Sequence, residues 1–339
     1  MVLPSRQPVA RPDPAGAAPV VRSGNWRYWF VGIVAVAALA GAVLHFGEIR
    51  NFMALVEKAQ PLWLLVALVF QLATYASVAS GWRAVLLRAG SPQKLWPLLR
   101  LAVSKLFLDQ ALPTAGMGGN VLVVDRLIGL GVSRGIAVAA LLVSMIGFYG
   151  AYMAFALLSL LLLWAEGKAS PLMVGVVTTF VIVATAIPSL ALWLRRRGRR
   201  PLPPWLEDIG AVRRLLDAFA LAPAALLKDR NLLFRVTLFN ALVFLLDAAT
   251  LYACLRALGQ DVGFSAALIA LVMASVAVTL GPIPLGLGSF EIVCTATLHL
   301  LGVAIEAALT GTMLLRMMIL WLPLLPGLFL MRGTMRQGR

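Results

Sequence analysis

The sequence is built from apolar runs about as long as a bilayer is thick, and that fixes what it can fold into. A hydrocarbon core of about 30 Å needs roughly 20 apolar residues in a helix. Runs of that kind occur at Tyr28–Phe46, Leu62–Ser80, Ile136–Trp164, Leu172–Leu194, Phe234–Leu255, Ala266–Leu280 and Ala307–Met331. The first could pass for a signal-peptide core, but its length and the long arm before it favour a retained helix. Hydrophobic residues make up 61% of the chain and charged residues 13%, far from the balance of a soluble domain. The expected fold class is therefore all-α: a polytopic membrane helix bundle.

Two further segments are apolar but interrupted. Residues 101–124 contain LPTAGMGGN, and residues 281–303 contain GPIPLGLGSFE. Proline removes a backbone donor and glycine loosens a helix. At membrane depth such backbone is tolerated only inside protein or facing water. Both segments are expected to be re-entrant or discontinuous helices, which gives seven or eight crossings in all.

Charge orients the bundle. The chain carries 29 Lys and Arg against 14 Asp and Glu, a net +15. Basic residues collect in cytoplasmic loops. The RRRGRR run at 195–200 and the loop with Arg83, Arg88, Lys94 and Arg100 must then lie inside. With the N-terminus inside, only Arg50, Lys58, Lys168 and Arg256 fall in outer loops, and Arg316 falls within the last helix. The same rule wants the basic tail 332–339 inside, which favours eight crossings. The excess charge thus points to the cytoplasmic leaflet and its anionic lipid, not to nucleic acid.

Within this layout, residues 1–27 read as a disordered Pro/Ala-rich arm and 28–331 as one integral membrane domain. Between the spans, 195–230 reads as a cytoplasmic linker. There Trp205, Ile209, Val212, Leu216 and Phe219 recur at helical spacing, as in an amphipathic helix lying on the leaflet or packed beneath the bundle.

The two broken segments resemble each other. Pro113 and Pro284 are each followed 18 residues later by Gly-Val, at Gly131-Val132 and Gly302-Val303. Leu127 and Leu130 match Leu298 and Leu301 at the same offset, and Gly116 and Gly118 match Gly286 and Gly288 after a one-residue shift. The repeat units run over about 100–164 and 271–331. Repeats with interrupted helices are a transporter arrangement, in which half-helix ends offer N–H groups to an anion. Pro/Gly breaks that merely permit tight packing are the plainer alternative.

The units KLFLDQALPTAGMGGNVLVVDRLIGLGV (105–132) and GPIPLGLGSFEIVCTATLHLLGV (281–303), with LLRMMILWLPLLPG (314–327), resemble the lysylphosphatidylglycerol synthase transmembrane-region family. The resemblance runs from about Leu62 onward. It implies a flippase-like protein of the bacterial cytoplasmic membrane that moves lipid between leaflets. Some members carry a fused aminoacyl-lipid synthase domain. Here the chain ends at Arg339, so aminoacyl transfer is not expected, and without a nucleotide or metal motif neither is another enzyme activity or a cofactor. The chain departs from the family at Asn120, where an acidic residue is common, and at 140–147, which lacks a common Arg.

Charges inside the bilayer cost about 2.5–3.5 kcal/mol each on insertion scales, so they face protein or a cavity. Arg316 is the clearest case. It could grip a lipid phosphate bidentately or pair with Glu291 or Asp247. Glu291 could instead cap the broken helix. Asp247 reads as a core polar contact, and His299 as a hydrogen-bonded core residue. Lys105 and Asp109 can pair at i, i+4, while Asp125 and Arg126 sit at the mouth of the first break. The candidate substrate-binding set is Arg316, Glu291, Gly286, Gly288, Pro284, Pro113, Gly118, Gly119, Asn120, Asp109, Lys105 and Arg126.

Two cysteines (Cys254, Cys294) and two distant histidines (His45, His299) cannot build a Cys-rich metal site. Neither a Walker loop nor a strand-linked GxGxxG is present. The reading that follows is a lipid transporter whose partner is its membrane lipid. The alternatives are a membrane-embedded lipid transferase, or a subunit recruiting a lipid-modifying enzyme through 195–230.

Overall fold

The computed structural model describes residues 57, 59–111, 117–197, 221–281 and 286–321. The chain divides into Met1–Asn51 and Phe52–Arg339, and the described residues all belong to the second unit. The arm at 1–27, the run Tyr28–Phe46, most of the proposed amphipathic helix and the tail lie outside them.

The described residues are helical, with no strand. In chain order the helices are α1 (Pro61–Arg88), α2 (Leu95–Ala111), α3 (Met117–Gly129), α4 (Arg134–Ala165) and α5 (Pro171–Arg197). There follow a short α6 (Ala224–Lys228), α7 (Arg230–Ala257), α8 (Phe264–Leu280), α9 (Ser289–Leu300) and α10 (Ile305–Arg316). A π-helical turn, Met317–Trp321, continues α10.

Among the described residues, four helices can cross a membrane by length and composition: α1, α4, α5 and α7. Their outward faces are apolar. On α1, Leu62, Leu65, Val69 and Leu72 point outward at helical spacing, while Gln71, Thr74, Tyr75 and Ser77 are buried. Polar inside and leucine outside is the arrangement that lipid, not water, rewards.

The long helices alternate in direction. Gln60 N–H donates to Ala257 O at 2.9 Å, joining the start of α1 to the end of α7. At the other end Arg88 Nε donates to Asp229 Oδ2 at 2.6 Å, and Asp229 Oδ1 also accepts the Leu232 N–H, capping α7. The Arg88 hydrogen bond and that cap hold the Asp229 carboxyl below its ordinary value of 3.8. A depressed carboxyl contributes stability above its unfolded value and loses it as pH falls through the folded one. The thermal stability gap between the wild type and Asp229→Asn should therefore persist at neutral pH and close only in strong acid. A gap unchanged at the lowest pH would contradict this.

Between these ends the helix pairs α2–α3 and α8–α9 form hairpins of opposite sense. Gln93 Nε2 donates to Leu130 O at 3.2 Å, tying the lead-in of α2 to the exit of α3. The hairpin α2–α3 thus enters and leaves at the Arg88–Asp229 end, as a re-entrant segment should. The ring of Phe264, the first residue of α8, lies 6.1 Å from that of Tyr252, and Tyr252 lies 6.2 Å from Trp63. A Cβ on Gly311 of α10 would meet the Leu255 side chain. The hairpin α8–α9 therefore opens at the Gln60–Ala257 end. At 17 residues, α8 rises only about 25 Å, and it packs along α9.

Both hairpins close on the same cap. Gly131 and Gly302 adopt φ of 84° and 100°. Their N–H groups donate to Ile128 O and His299 O, while Val132 N and Val303 N reach back to Leu127 O and Leu298 O. This is a Schellman cap with its apolar contact, and Leu127, Val132, Leu298 and Val303 are all buried. Similar caps end α1, α4 and α7, so the cap alone does not establish the repeat. The two units also share the order of short helix, cap and following helix.

Two apolar cores follow this division. One gathers the far end of α1, α2, α3, the start of α4, the end of α5, α6 and the start of α7. The other gathers the end of α4, the first part of α5, the end of α7, α8, α9 and α10. Helices α4, α5 and α7 run through both.

Candidate functional site

The second break builds a compact site. Gly286 and Gly288 take φ of 63° and 83°, a left-handed conformation that favours glycine. A Cβ on Gly286 would lie 2.3 Å from Val278 Cγ2, so the chain is pressed against α8. Gly288 is the N-cap of α9. Having no side chain, it leaves capping to Glu291, whose Oε2 accepts the Gly288 N–H at 2.7 Å. This is the returning half of a capping box, placing a carboxylate at the positive end of the helix dipole.

The other oxygen of Glu291 meets Arg316. Arg316 Nε donates to Glu291 Oε1 at 2.6 Å, and the guanidinium lies 4.8 Å from the Phe290 ring centre. Both charges are buried, with 8% of Arg316 and 9% of Glu291 exposed. Arg316 stands eleven residues beyond Ile305, about 17 Å along α10. That is roughly half the depth of a bilayer. Both alternatives for Glu291 are thus realised together: it caps and it pairs. Asp247 does not pair with Arg316; its Oδ1 accepts from Thr74 Oγ1 at 3.3 Å.

Directly after Arg316 the α-helix widens into the π turn, where the sequence implied one uninterrupted helix. Such turns often accompany functional positions. Cys294 and Thr312 complete the surroundings of the pair.

The first-unit candidates are placed differently. Lys105, half-buried, and Asp109 lie on α2; Gly118, Gly119 and Asn120 lie in the first turn of α3. Gly119 is buried and Asn120 half-buried, while Asp125 and Arg126 are exposed further along α3. The Asp109 side chain, Pro113, Gly116 and Pro284 lie outside the described residues. Helices α2 and α3 pack on α1 and α4, whereas α9 and α10 pack on α8 and α7. The site around Arg316 is therefore built from the second unit. His299 is exposed, not in the core, and its Nδ1 shares a 3.0 Å hydrogen bond with Val303 O. Among the described residues no group of three His, Cys, Asp or Glu could hold a metal ion.

The site falls in segments that carry the sequence resemblance, 281–303 and 314–327. A family model for the lysylphosphatidylglycerol synthase TM region matches residues 29–327. The chain belongs to this family. A search of curated proteins finds no match. As a member of the lysylphosphatidylglycerol synthase transmembrane-region family, with apolar helices of spanning length, it is a multi-pass membrane protein tied to lipid synthesis or lipid movement.

What the sequence did not reveal is the polar face on α1. Gln71, Thr74 and Tyr75 sit inside the run Leu62–Ser80 and meet Asp247 of α7. Their i, i+3, i+4 spacing was the available signal.

Proposed function

We propose that this protein moves a phosphate-bearing lipid or glycolipid across the bacterial cytoplasmic membrane, with Arg316 receiving the phosphate. The observation that carries the reading is the double engagement of Glu291. A buried carboxylate stripped of its only cation is costly. Glu291 keeps the Gly288 N–H and the helix terminus when Arg316 turns away, which lowers the cost of exchanging carboxylate for phosphate. Guanidinium is suited to that exchange, since its planar fork fits either anion. The Arg88–Asp229 end, rich in basic residues, faces the cytoplasm in this reading.

The test is lipid movement in vesicles holding the purified full chain and a fluorescent phosphatidylglycerol, read by chemical quenching of the outer leaflet. Glu291→Gln/Arg316→Gln keeps a capping group on Gly288 but removes the cation. A charged hydrogen bond contributes about 1.5–3 kcal/mol, so movement should slow about ten- to a hundredfold. An unchanged rate removes Arg316 from lipid handling. Absence of movement by the wild type overturns the transport reading itself.

A further inference from the structure

A second polar group lies inside the bundle, on other helices. On α1, Gln71, Thr74 and Tyr75 share one face and meet Asp247 at the middle of α7. Gln71 and Tyr75 are 2% and 3% exposed. The Gln71 amide lies beside both the Tyr75 hydroxyl and the Asp247 carboxylate. Yet Gln71 Oε1 and the Tyr75 hydroxyl complete no hydrogen bond. Buried polar atoms in native proteins are almost always satisfied, so two orphans in one place need a reason.

The charge on Asp247 needs one too. The titratable groups on the helices packed against α7 do not supply a counter-ion. From α1, Tyr75 stands beside it and offers only a hydroxyl, while Arg88, at the end of that helix, is engaged by Asp229. Arg83 of α1, Arg134 of α4, Lys228 of α6, Glu306 of α10 and, on α7 itself, Arg230 and Arg235 make no ion pair with Asp247, and Arg256 is held by Asp261. Tyr149 and Tyr152 of α4 belong to the aromatic cluster with Phe148. Arg316 of α10 is held by Glu291. Helix α8 carries no titratable residue.

The surrounding oxygens suit a carboxyl that gains and loses a proton. Thr74 Oγ1 reaches two acceptors, Phe70 O at 3.2 Å and Asp247 Oδ1 at 3.3 Å, but has one hydrogen to give. With Asp247 ionised, that hydrogen goes to the carboxylate. With Asp247 protonated, Thr74 turns to Phe70 O, and the new O–H of Asp247 can donate to Gln71 Oε1, the acceptor otherwise left over. Each protonation state thus has its own hydrogen-bond set. Such a proton would come from water on one side and return to water on the other.

We propose that Asp247, cradled by Gln71, Thr74 and Tyr75, is a proton-binding site within the bilayer, and that its loading and unloading drive lipid movement. The driving role rests on the lipid-transport reading above; the proton site does not.

Infrared difference spectra of the full chain in lipid nanodiscs, between mildly alkaline and mildly acidic buffer, test the site. The wild type should gain a carboxylic-acid carbonyl band on acidification that Asp247→Asn lacks. Gln71→Leu should move that band to higher frequency by removing its acceptor, which also serves if Asp247→Asn fails to fold. Identical spectra for the wild type and a folded Asp247→Asn overturn the site, as does a band that responds to Na⁺ at fixed pH. In the vesicle assay a pH gradient should change the wild-type rate severalfold and leave Asp247→Asn unaffected. A wild-type rate indifferent to the gradient overturns the driving role. If the wild type moves no lipid, the transport reading fails and the spectra alone decide the proton site.

Discussion

Arg316→Ala should cost about 3–5 kcal/mol of stability, because it strands a buried carboxylate. The loss should sit near the lower end of that range, since Glu291 retains the Gly288 N–H and the start of α9. The double variant Arg316→Ala/Glu291→Gln should recover much of it, since a neutral amide needs no counter-ion and still reaches the cap. Thermal unfolding of the four proteins in one detergent, arranged as a double-mutant cycle, measures the coupling. If Arg316→Ala alone matches the wild type, the pair is not shielded from water and the packing around Phe290 is wrong. The same cycle explains why the alanine variant alone is a poor probe of transport: lost movement would not separate lipid handling from lost structure.

Gly286→Ala should be comparably harmful, by a different cause. A left-handed backbone costs a non-glycine residue about 1–2 kcal/mol. The added Cβ, 2.3 Å from Val278 Cγ2, adds an overpacking cost of about 1–3 kcal/mol. The total is roughly 2–5 kcal/mol. Val278→Ala in the same chain should relieve the steric part and leave the backbone part. Gly288→Ala is the control: its φ is also positive, but a Cβ there meets nothing within 4 Å. It should therefore cost only the backbone term. If Gly286→Ala and Gly288→Ala destabilise equally, the close approach to α8 does not exist.

These two sites show what the sequence could and could not disclose. Length and apolar runs sufficed for the helices, because lipid leaves the backbone few choices. The repeat was read from Pro, Gly-Val and two leucines that keep their offsets, and the structure gives the Gly-Val pairs a common role in caps. Arg316 and Glu291 were legible as charges where charge is costly. Their pairing was one of two open to Arg316, and with 25 residues and a chain reversal between them only the fold could choose it. Asp247 had the same standing, and only packing could choose Thr74 over Arg316 as its partner. The sense of the second hairpin escaped for a related reason. Hydropathy alone does not distinguish a 17-residue helix that turns back from one that crosses.

Helix α7 contains neither proline nor glycine along its 28 residues, and kinks need such breaks. It is a rod of about 42 Å, and α4 is clamped to it where Gly147 meets the backbone of Thr237. Since both apolar cores grip this pair, neither hairpin has a flexible post to swing on. The pair is a stiff mast to which both ends of the bundle are fastened.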